Sequence, residues 1–373
     1  MNASSKRLAF FLPGLYDGGA ERIILNLATG LVDYGFEVDL VLAQAEGPFV
    51  SEVSSSVRLI ELNTTHLSAQ RTLFSLPSLV RYLRSERPVA MLSCLNYANI
   101  VAIWAKFLAR APVRLSISEH NTFSSERKLF PGYYRWLLQG LMKLVYPRAD
   151  TIIAVSEGVA DDLVKVLHIP PQRVKVIYNP VITPDLQVKK DAAIEHPWFE
   201  KNQPPVVVAV GRLTKQKGFD VLIRAFAQLR RKRVARLLIL GEGEERSELI
   251  GLAKKLEVDQ DVDLPGFVSN PYPYMANASV FVLSSRWEGL PTVLVEALFC
   301  GVQLVATDCP SGPREILKNG QYGQLVPVED ADSLSQAIIN ALDGNVRPVP
   351  QISWQAFKLD TVIKQYVTTL LGT

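Results

Sequence analysis

Along the first half of the chain, short apolar runs alternate with longer stretches in which apolar residues return every three or four positions. The runs LAFFLP, EVDLVLA, VAMLSC, VRLSISEH, TIIAVSE and VKVIYNP read as strands, with helices at about 20–34, 74–86, 97–109, 131–147 and 157–167. Strands that stay apolar on successive residues are covered on both faces, which predicts a parallel sheet between helical layers. From Asn179 to Pro205 the periodicity stops in NPVITPDLQVKKDAAIEHPWFEKNQPP, a Pro- and charge-rich stretch that reads as a linker. A second series follows: strands VVVAVGRL, RLLILGEG, VDLPGFV, VFVLSS, QLVATD and GQLVPV, with helices at about 219–231, 244–256 and 331–342. A last helical pattern, from about Trp354 to Leu370, has the spacing to pack back onto the first half. The expected organisation is α/β: doubly wound parallel-sheet halves at 1–180 and 205–350, a linker at 181–204, and a cleft where strand C-termini and helix N-termini converge.

Composition adds limits. A chain of 373 residues has room for two cores, and 48% hydrophobic with 21% charged residues and no low-complexity tract excludes a disordered or fibrous protein. The net charge of +3 hides an uneven distribution, because residues 71–148 hold twelve Lys and Arg against three Glu, a local excess of +9. Gathered on one surface, that charge favours an anionic partner such as a membrane face, a phosphorylated lipid or a nucleic acid; spread over solvated helix faces, it favours none. The aromatics Tyr133, Tyr134, Trp136 and Tyr146 fall in the same region and read either as a membrane-surface patch or as the inner side of a helix. Cys94, Cys300 and Cys309 lack metal-ligand spacing and sit in apolar segments, so they read as core residues of a reducing compartment, with no zinc site. The N-terminus imitates a signal peptide but runs through DGG into a helical pattern without a cleavage site, and reads as a strand. The longest apolar stretch, 98–113, is interrupted by Lys106 and Arg110 and is too short to span a bilayer.

Candidate chemistry concentrates in SSRWEGLPTVLVEALFCG, residues 284–301. Here a strand ends, RWEGL turns, and a helix starts near Pro291 and stops before Gly301. Glu288 falls in the loop at the helix N-terminus, and Glu296 one and a half turns inside, with Thr292, Val293, Phe299 and Cys300 as helical neighbours. A carboxylate among such neighbours needs a partner: a ligand hydroxyl, a cation or a backbone donor. An Arg or a helix end would satisfy the same spacing. The amides at Gly289, Leu290, Thr292 and Val293 surround an anion-attracting helix start behind Pro291. In GRLTKQKGFD, residues 211–220, Arg212 and Lys217 emerge at a strand's C-terminal end and can hold a diphosphate, or simply form a solvated loop. Gly18 and Gly19, in YDGGAERI, allow close backbone approach to a ligand or serve a tight turn. His120, in LSISEHNT, ends another strand and can bond a sugar, move a proton, or be satisfied locally. Asp261 and Asp263 imitate a metal pair, but no third acid accompanies them.

Together these segments resemble the retaining glycosyltransferases of the GT-B fold, family four. The match comprises the Glu-x7-Glu of Glu288 and Glu296, GRL-x-x-x-KG at 211–218, GGAER at 18–22, SEHN at 118–121, and VATDCPSGPREIL with its following G-x-x-G-x-LVP. The resemblance implies a nucleotide-sugar donor, usually a UDP-sugar, held mainly by the C-terminal domain, with no metal and no other cofactor. It implies Glu296 on the ribose hydroxyls and Glu288 at the donor sugar. Arg212 and Lys217 would take the diphosphate, Gly289 to Val293 sugar and phosphate, and Val268 with Phe267 the base. Gly18, Gly19 and His120 would face the donor from the N-terminal domain. It further implies front-face transfer of a hexose or N-acetylhexosamine to a glycan or polyprenyl-diphosphate-linked acceptor at the inner face of a membrane, without nucleic acid. The competing readings are a sugar-nucleotide epimerase on the same fold and a non-catalytic sugar-nucleotide binding module.

Overall fold

The computed structural model describes residues 7–16, 18–62, 71–126, 132–344 and 350–372. Contacts divide the chain into two units: Met1–Pro180 with Phe357–Thr373, and Val181–Ala356.

The first unit holds a seven-stranded, wholly parallel sheet: β1 (Arg7–Leu12), β2 (Glu37–Leu42), β3 (Arg58–Glu61), β4 (Ala90–Cys94), β5 (Arg114–Glu119), β6 (Thr151–Ala154) and β7 (Val174–Val176), in the order β3-β2-β1-β4-β5-β6-β7. Its helices are α1 (Gly19–Asp33), α2 (Arg71–Phe74), α3 (Leu76–Glu86), α4 (Asn96–Ala109), α5 (Phe123–Glu126), α6 (Gly132–Val145) and α7 (Glu157–Leu167). The uninterrupted apolar run of β1 is buried on both faces from Leu8 to Leu12, as a central parallel strand requires. Sequence order reverses between β1 and β4, so the loops after these strands open the crevice of this sheet.

The second unit begins with α8 (Leu186–Lys190) and holds six parallel strands: β8 (Val206–Val210), β9 (Arg236–Leu240), β10 (Val262–Gly266), β11 (Val280–Leu283), β12 (Gln303–Thr307) and β13 (Gln324–Val326), in the order β10-β9-β8-β11-β12-β13. Around them lie α9 (Phe219–Arg230), α10 (Arg246–Lys255), α11 (Tyr272–Asn277), α12 (Thr292–Cys300), α13 (Pro313–Ile316) and α14 (Ala331–Leu342). Leu222, Phe226 and Leu229 of α9 and Leu334 and Ile338 of α14 pack over the sheet. The last helix, α15 (Leu359–Leu371), belongs to the first unit, where it packs on α1, β4 and β5.

Two segments differ from the pattern read along the chain. The strand β3 was not expected, because RLIE is a polar edge strand with little apolar signal. Residues 181–204, expected to link the halves, fold into the second unit. Leu186 is buried, Asn270 donates to the Lys189 carbonyl at 2.8 Å, and His196 meets Asp263 at 3.1 Å among Trp198, Phe199 and Tyr274. Single anchors of this kind leave no periodic trace.

Candidate functional site

In the second unit the order of strands reverses between β8 and β11, and the loops leaving these two strands carry most of the residues singled out above. A glycine brings the loops together. Gly218 ends the turn after β8 at φ +62°, and a Cβ there would stand 2.3 Å from the Ser284 carbonyl at the end of β11, so no other residue permits this approach. Ser284 Oγ in turn donates to the Lys217 carbonyl at 2.8 Å. The side chain of Lys217 then reaches the second loop, where Nζ donates to Glu288 Oε1 at 2.7 Å.

Glu288 is buried and held from several sides. Ser285 Oγ donates to the same Oε1 at 2.6 Å, the Glu288 amide donates to the Pro310 carbonyl at 2.7 Å, and the Ser311 amide donates to the Glu288 carbonyl at 2.9 Å. Oε2 takes no hydrogen bond from the described residues, so it remains as an acceptor for a hydroxyl. Lys217 has one of its three donors engaged and two to offer to anionic oxygens. Cys309 is buried close by, and its thiol is pushed up first by burial and then by the Glu288 charge, so it stays protonated.

Arg286 ties the two loops. Its guanidinium donates to the Lys215 carbonyl at 2.7 Å and to Asp220 Oδ2 at 2.9 Å, and pairs with Glu329. Its amide donates to the Gln216 carbonyl at 2.7 Å, and Gln216 Nε2 donates back to the Trp287 carbonyl at 2.9 Å. Burial alone raises the Asp220 carboxyl, but the hydrogen bond and charge of Arg286 hold it below its usual range.

At the helix start, Pro291 caps α12 with extended backbone, and the first-turn amides of Thr292 and Val293 have no intrahelical acceptor. Gly312, at φ +101°, lies against Pro291 and Leu290 so closely that a Cβ would stand 2.5 Å from Pro291 Cδ. Leu294, Val295, Ala297 and Leu298 are buried in the core, whereas Thr292, Val293, Glu296, Phe299 and Cys300 are only half-buried. The face carrying Glu296 is therefore a half-open wall and not a fully solvated face. Tyr272 donates to Glu296 Oε1 at 3.5 Å. Burial, followed by the charge of Glu296, pushes the Cys300 thiol up to about 12.

Of the other expected residues, Arg212, Phe267 and Val268 follow strands of the second sheet. Arg212 follows β8 and is exposed, with no side-chain partner among the described residues. Past the end of β10, Phe267 is exposed and Val268 half-buried. In the first unit, Gly18 caps α1 with extended backbone, and its hydrogens leave room for Glu21, whose carboxylate would stand 2.1 Å from a Cβ. At Gly19 a Cβ would meet nothing within 4 Å, and neither glycine has positive φ, so neither backbone conformation requires glycine. His120 follows β5, with Nε2 3.0 Å from Ser118 Oγ and Nδ1 out of water and without a partner among the described residues. Burial pushes its imidazole down to about 4, so the ring is neutral at physiological pH.

The Asp261 and Asp263 carboxylates are taken by Arg230 and His196, and no cluster of three or more His, Cys, Asp or Glu side chains among the described residues is placed to hold a metal ion. No described helix is long and apolar enough to cross a membrane. Sequence reasoning missed Ser285, Arg286, Gln216 and Ser311. Only the paired serines at the end of VFVLSS carried a signal, a polar pair terminating an apolar strand.

Residues 17–183 match the family described as Glycosyltransferase Family 4, and residues 191–352 match Glycosyl transferases group 1. Over 91% of this chain and 90% of the relative, the sequence is 32% identical to N-acetylgalactosamine-N,N'-diacetylbacillosaminyl-diphospho-undecaprenol 4-alpha-N-acetylgalactosaminyltransferase of Campylobacter jejuni. The chain belongs to glycosyltransferase family four. This glycosyltransferase is also 28% identical, over 89% of its length and 88% of the relative's, to the GalNAc-alpha-(1->4)-GalNAc-alpha-(1->3)-diNAcBac-PP-undecaprenol alpha-1,4-N-acetyl-D-galactosaminyltransferase of the same organism. Among solved structures it is similar to Anabaena HepE in complex with UDP and glucose, with a TM-score of 0.78, 21% identity and coverage of 98% and 100% of the two chains. It is similar too to the lipopolysaccharide outer core galactosyltransferase WaaB, with a TM-score of 0.73, 19% identity and coverage of 98% and 99%. With its two parallel α/β units, the glycosyltransferase has the GT-B fold.

Proposed function

We propose that the enzyme transfers a hexose or N-acetylhexosamine from a UDP-sugar to a polyprenyl-diphosphate-linked glycan, with retention of anomeric configuration and without a metal. The observation that carries this reading is the Lys217–Glu288 contact at the reversal point of the second sheet, where a cation and a carboxylate with one free oxygen stand beside the open amides of α12. Two relatives named for N-acetylgalactosamine transfer to undecaprenyl-diphosphate glycans support the acceptor class, and a structural neighbour holding UDP and glucose supports the donor class.

In this reading Lys217, the exposed Arg212 and the α12 amides hold the diphosphate, Glu288 Oε2 accepts from a sugar hydroxyl, and Glu296 accepts from the ribose. An acceptor hydroxyl oxygen bonds to the anomeric carbon on the side from which the diphosphate departs. The carbon–oxygen bond to the phosphate breaks, and the hydroxyl proton passes to the departing phosphate oxygen. Negative charge grows on that phosphate as the bond breaks, and the fixed cations and helix amides stabilise it. The proton acceptor is the leaving group, so a dedicated protein base is not required.

Nuclear magnetic resonance of the product formed from an α-linked UDP-sugar and a polyprenyl-diphosphate disaccharide tests the reading. An α-linked product, formed equally with and without a chelator, is expected. A β-linked product, loss of activity with the chelator, or epimerised UDP-sugar without transfer would overturn it.

A further inference from the structure

The excess of positive charge read over residues 71–148 does not spread evenly in the structure. Arg84 of α3, Lys106 of α4, Arg110 at its C-cap and Arg148 beyond α6 line one open cavity of about 870 Å³, whose lining includes no acidic residue. Lys106 is paired with Asp150, Arg84 donates to the Leu108 carbonyl, and Arg148 donates to the Leu144 carbonyl, while Arg110 has no partner among the described residues. Lys143, in the last turn of α6, has none either. Arg127, Lys128 and the side chains of Arg71, Tyr134 and Arg135 lie outside the described residues.

Large apolar side chains stand in solvent on α4, which lines this cavity, and on α6, which packs against α4. On α4, Trp104, Phe107 and Leu108 are exposed, Phe107 to 69%, and Phe107 itself lines the cavity. On α6, Tyr133, Trp136, Leu137 and Leu144 are exposed at 80%, 68%, 67% and 59%. Their spacing places Tyr133, Leu137 and Leu144 on one stripe that also passes Gly140. The stripe ends at Leu144, whose carbonyl takes Arg148 of the cavity. Tyr146, by contrast, is buried and hydrogen-bonded to Glu119.

We propose that this face, formed by α4, α6 and the α3–α4 cavity, docks on an anionic lipid bilayer, with the aromatics in the interfacial layer and the cations against lipid phosphates. Exposed aromatics beside cations, of which Arg110 and Lys143 have no partner among the described residues, are the composition that partitions into an anionic headgroup layer. A second copy of the chain is disfavoured as occupant, because a self-complementary contact would set the two cationic rims against each other. The inference is independent of which sugar is transferred.

Sedimentation of the full chain with vesicles of phosphatidylcholine, with and without phosphatidylglycerol, tests the proposal. Binding is expected only to the anionic vesicles, weakening as salt rises, with a blue shift of tryptophan fluorescence. Each cation near such a surface contributes about fivefold to partitioning, so Arg110→Gln with Lys143→Gln lowers it roughly 25-fold. Trp136→Ser also lowers binding, while the control pair Lys254→Gln with Lys255→Gln on α10 leaves it unchanged. Circular dichroism melts confirm that each variant is folded. Equal binding by the Arg110/Lys143 variant and the control pair would overturn the proposal. So would equal binding to neutral vesicles, or a dimer that Trp136→Ser dissociates in a chain that ignores vesicles.

Discussion

Glu288 and Lys217 neutralise one another, so on the proposed reading a diphosphate entering the site competes with a carboxylate for the same ammonium. Losing one charge-assisted hydrogen bond is worth about 1.5–3 kcal/mol, so Lys217→Ala is expected to weaken UDP binding by roughly ten- to hundredfold in a calorimetric titration. Glu288→Gln removes the competitor; UDP affinity holds or improves, while kcat falls by about 10²–10³, as for a single preorganised contact at the reacting centre. A parallel loss of UDP affinity and kcat in Glu288→Gln would refute the division of roles. His120 makes a prediction of a different kind. Its folded pKa, near 4, lies below the unfolded value of about 6.5, so the unfolded chain binds the extra proton first, and stability falls as pH drops from 6.5 towards 4. Between pH 7 and pH 5 the loss from this ring is about 2 kcal/mol, and His120→Gln should remove it from urea unfolding measured at the two pH values. An unchanged pH difference would mean that the ring titrates normally. At this scale the sequence shows charges in apolar company, which exposed Glu288, but not their supports. Ser285 is silent in the sequence as a partner of Glu288, and Gln216 reaches Trp287 across 71 residues of chain.

The helix α12 and the turn after β8 matter less for their residues than for how they are clamped. Gly218 lets the turn touch the end of β11, and Arg286 then fastens it with bonds to Lys215, Asp220 and Glu329. Arg286→Gln leaves the two carboxylates without their cation while touching neither Lys217 nor Glu288. Its pairs are partly solvated, so the expected loss is about 1–2 kcal/mol, below that of a buried pair. That corresponds to a melting shift of about 3–6 °C, accompanied by weaker donor binding. Thermal unfolding with UDP titration checks both, and a stability loss with unaltered UDP affinity would show that Arg286 supports the fold and not the loops. Elements with strong period were legible: every apolar strand of the second half and helices α9, α10 and α14 follow from spacing. The edge strand β3 and the helix α8 were not, because one is polar and the other buries only Leu186.

At the scale of the molecule the chain forms two units, and its last seventeen residues, which follow the second unit along the chain, belong to the first. The apolar spacing of α15 is visible in the sequence, but its seat is not, because the seat depends on a glycine in the last turn of α1. Gly30 is an unfavourable helix residue in isolation. In the fold its missing side chain makes room for α15, since a Cβ there would stand 2.4 Å from Ile363 Cδ1 and 3.3 Å from a Leu359 methyl. Gly30→Val therefore sets a gain in helix propensity, below 1 kcal/mol, against overpacking of about 1–3 kcal/mol, and the overpacking is expected to win. The melting temperature should fall by roughly 2–8 °C. Lys217, Glu288 and Glu296 all belong to the other unit, so UDP affinity should stay within about twofold of the parent, a change below 0.5 kcal/mol. Calorimetry reads both quantities on one sample: a raised melting temperature would show that α15 does not sit tightly on α1, and a tenfold loss of UDP affinity would show that the donor site depends on the first unit's packing.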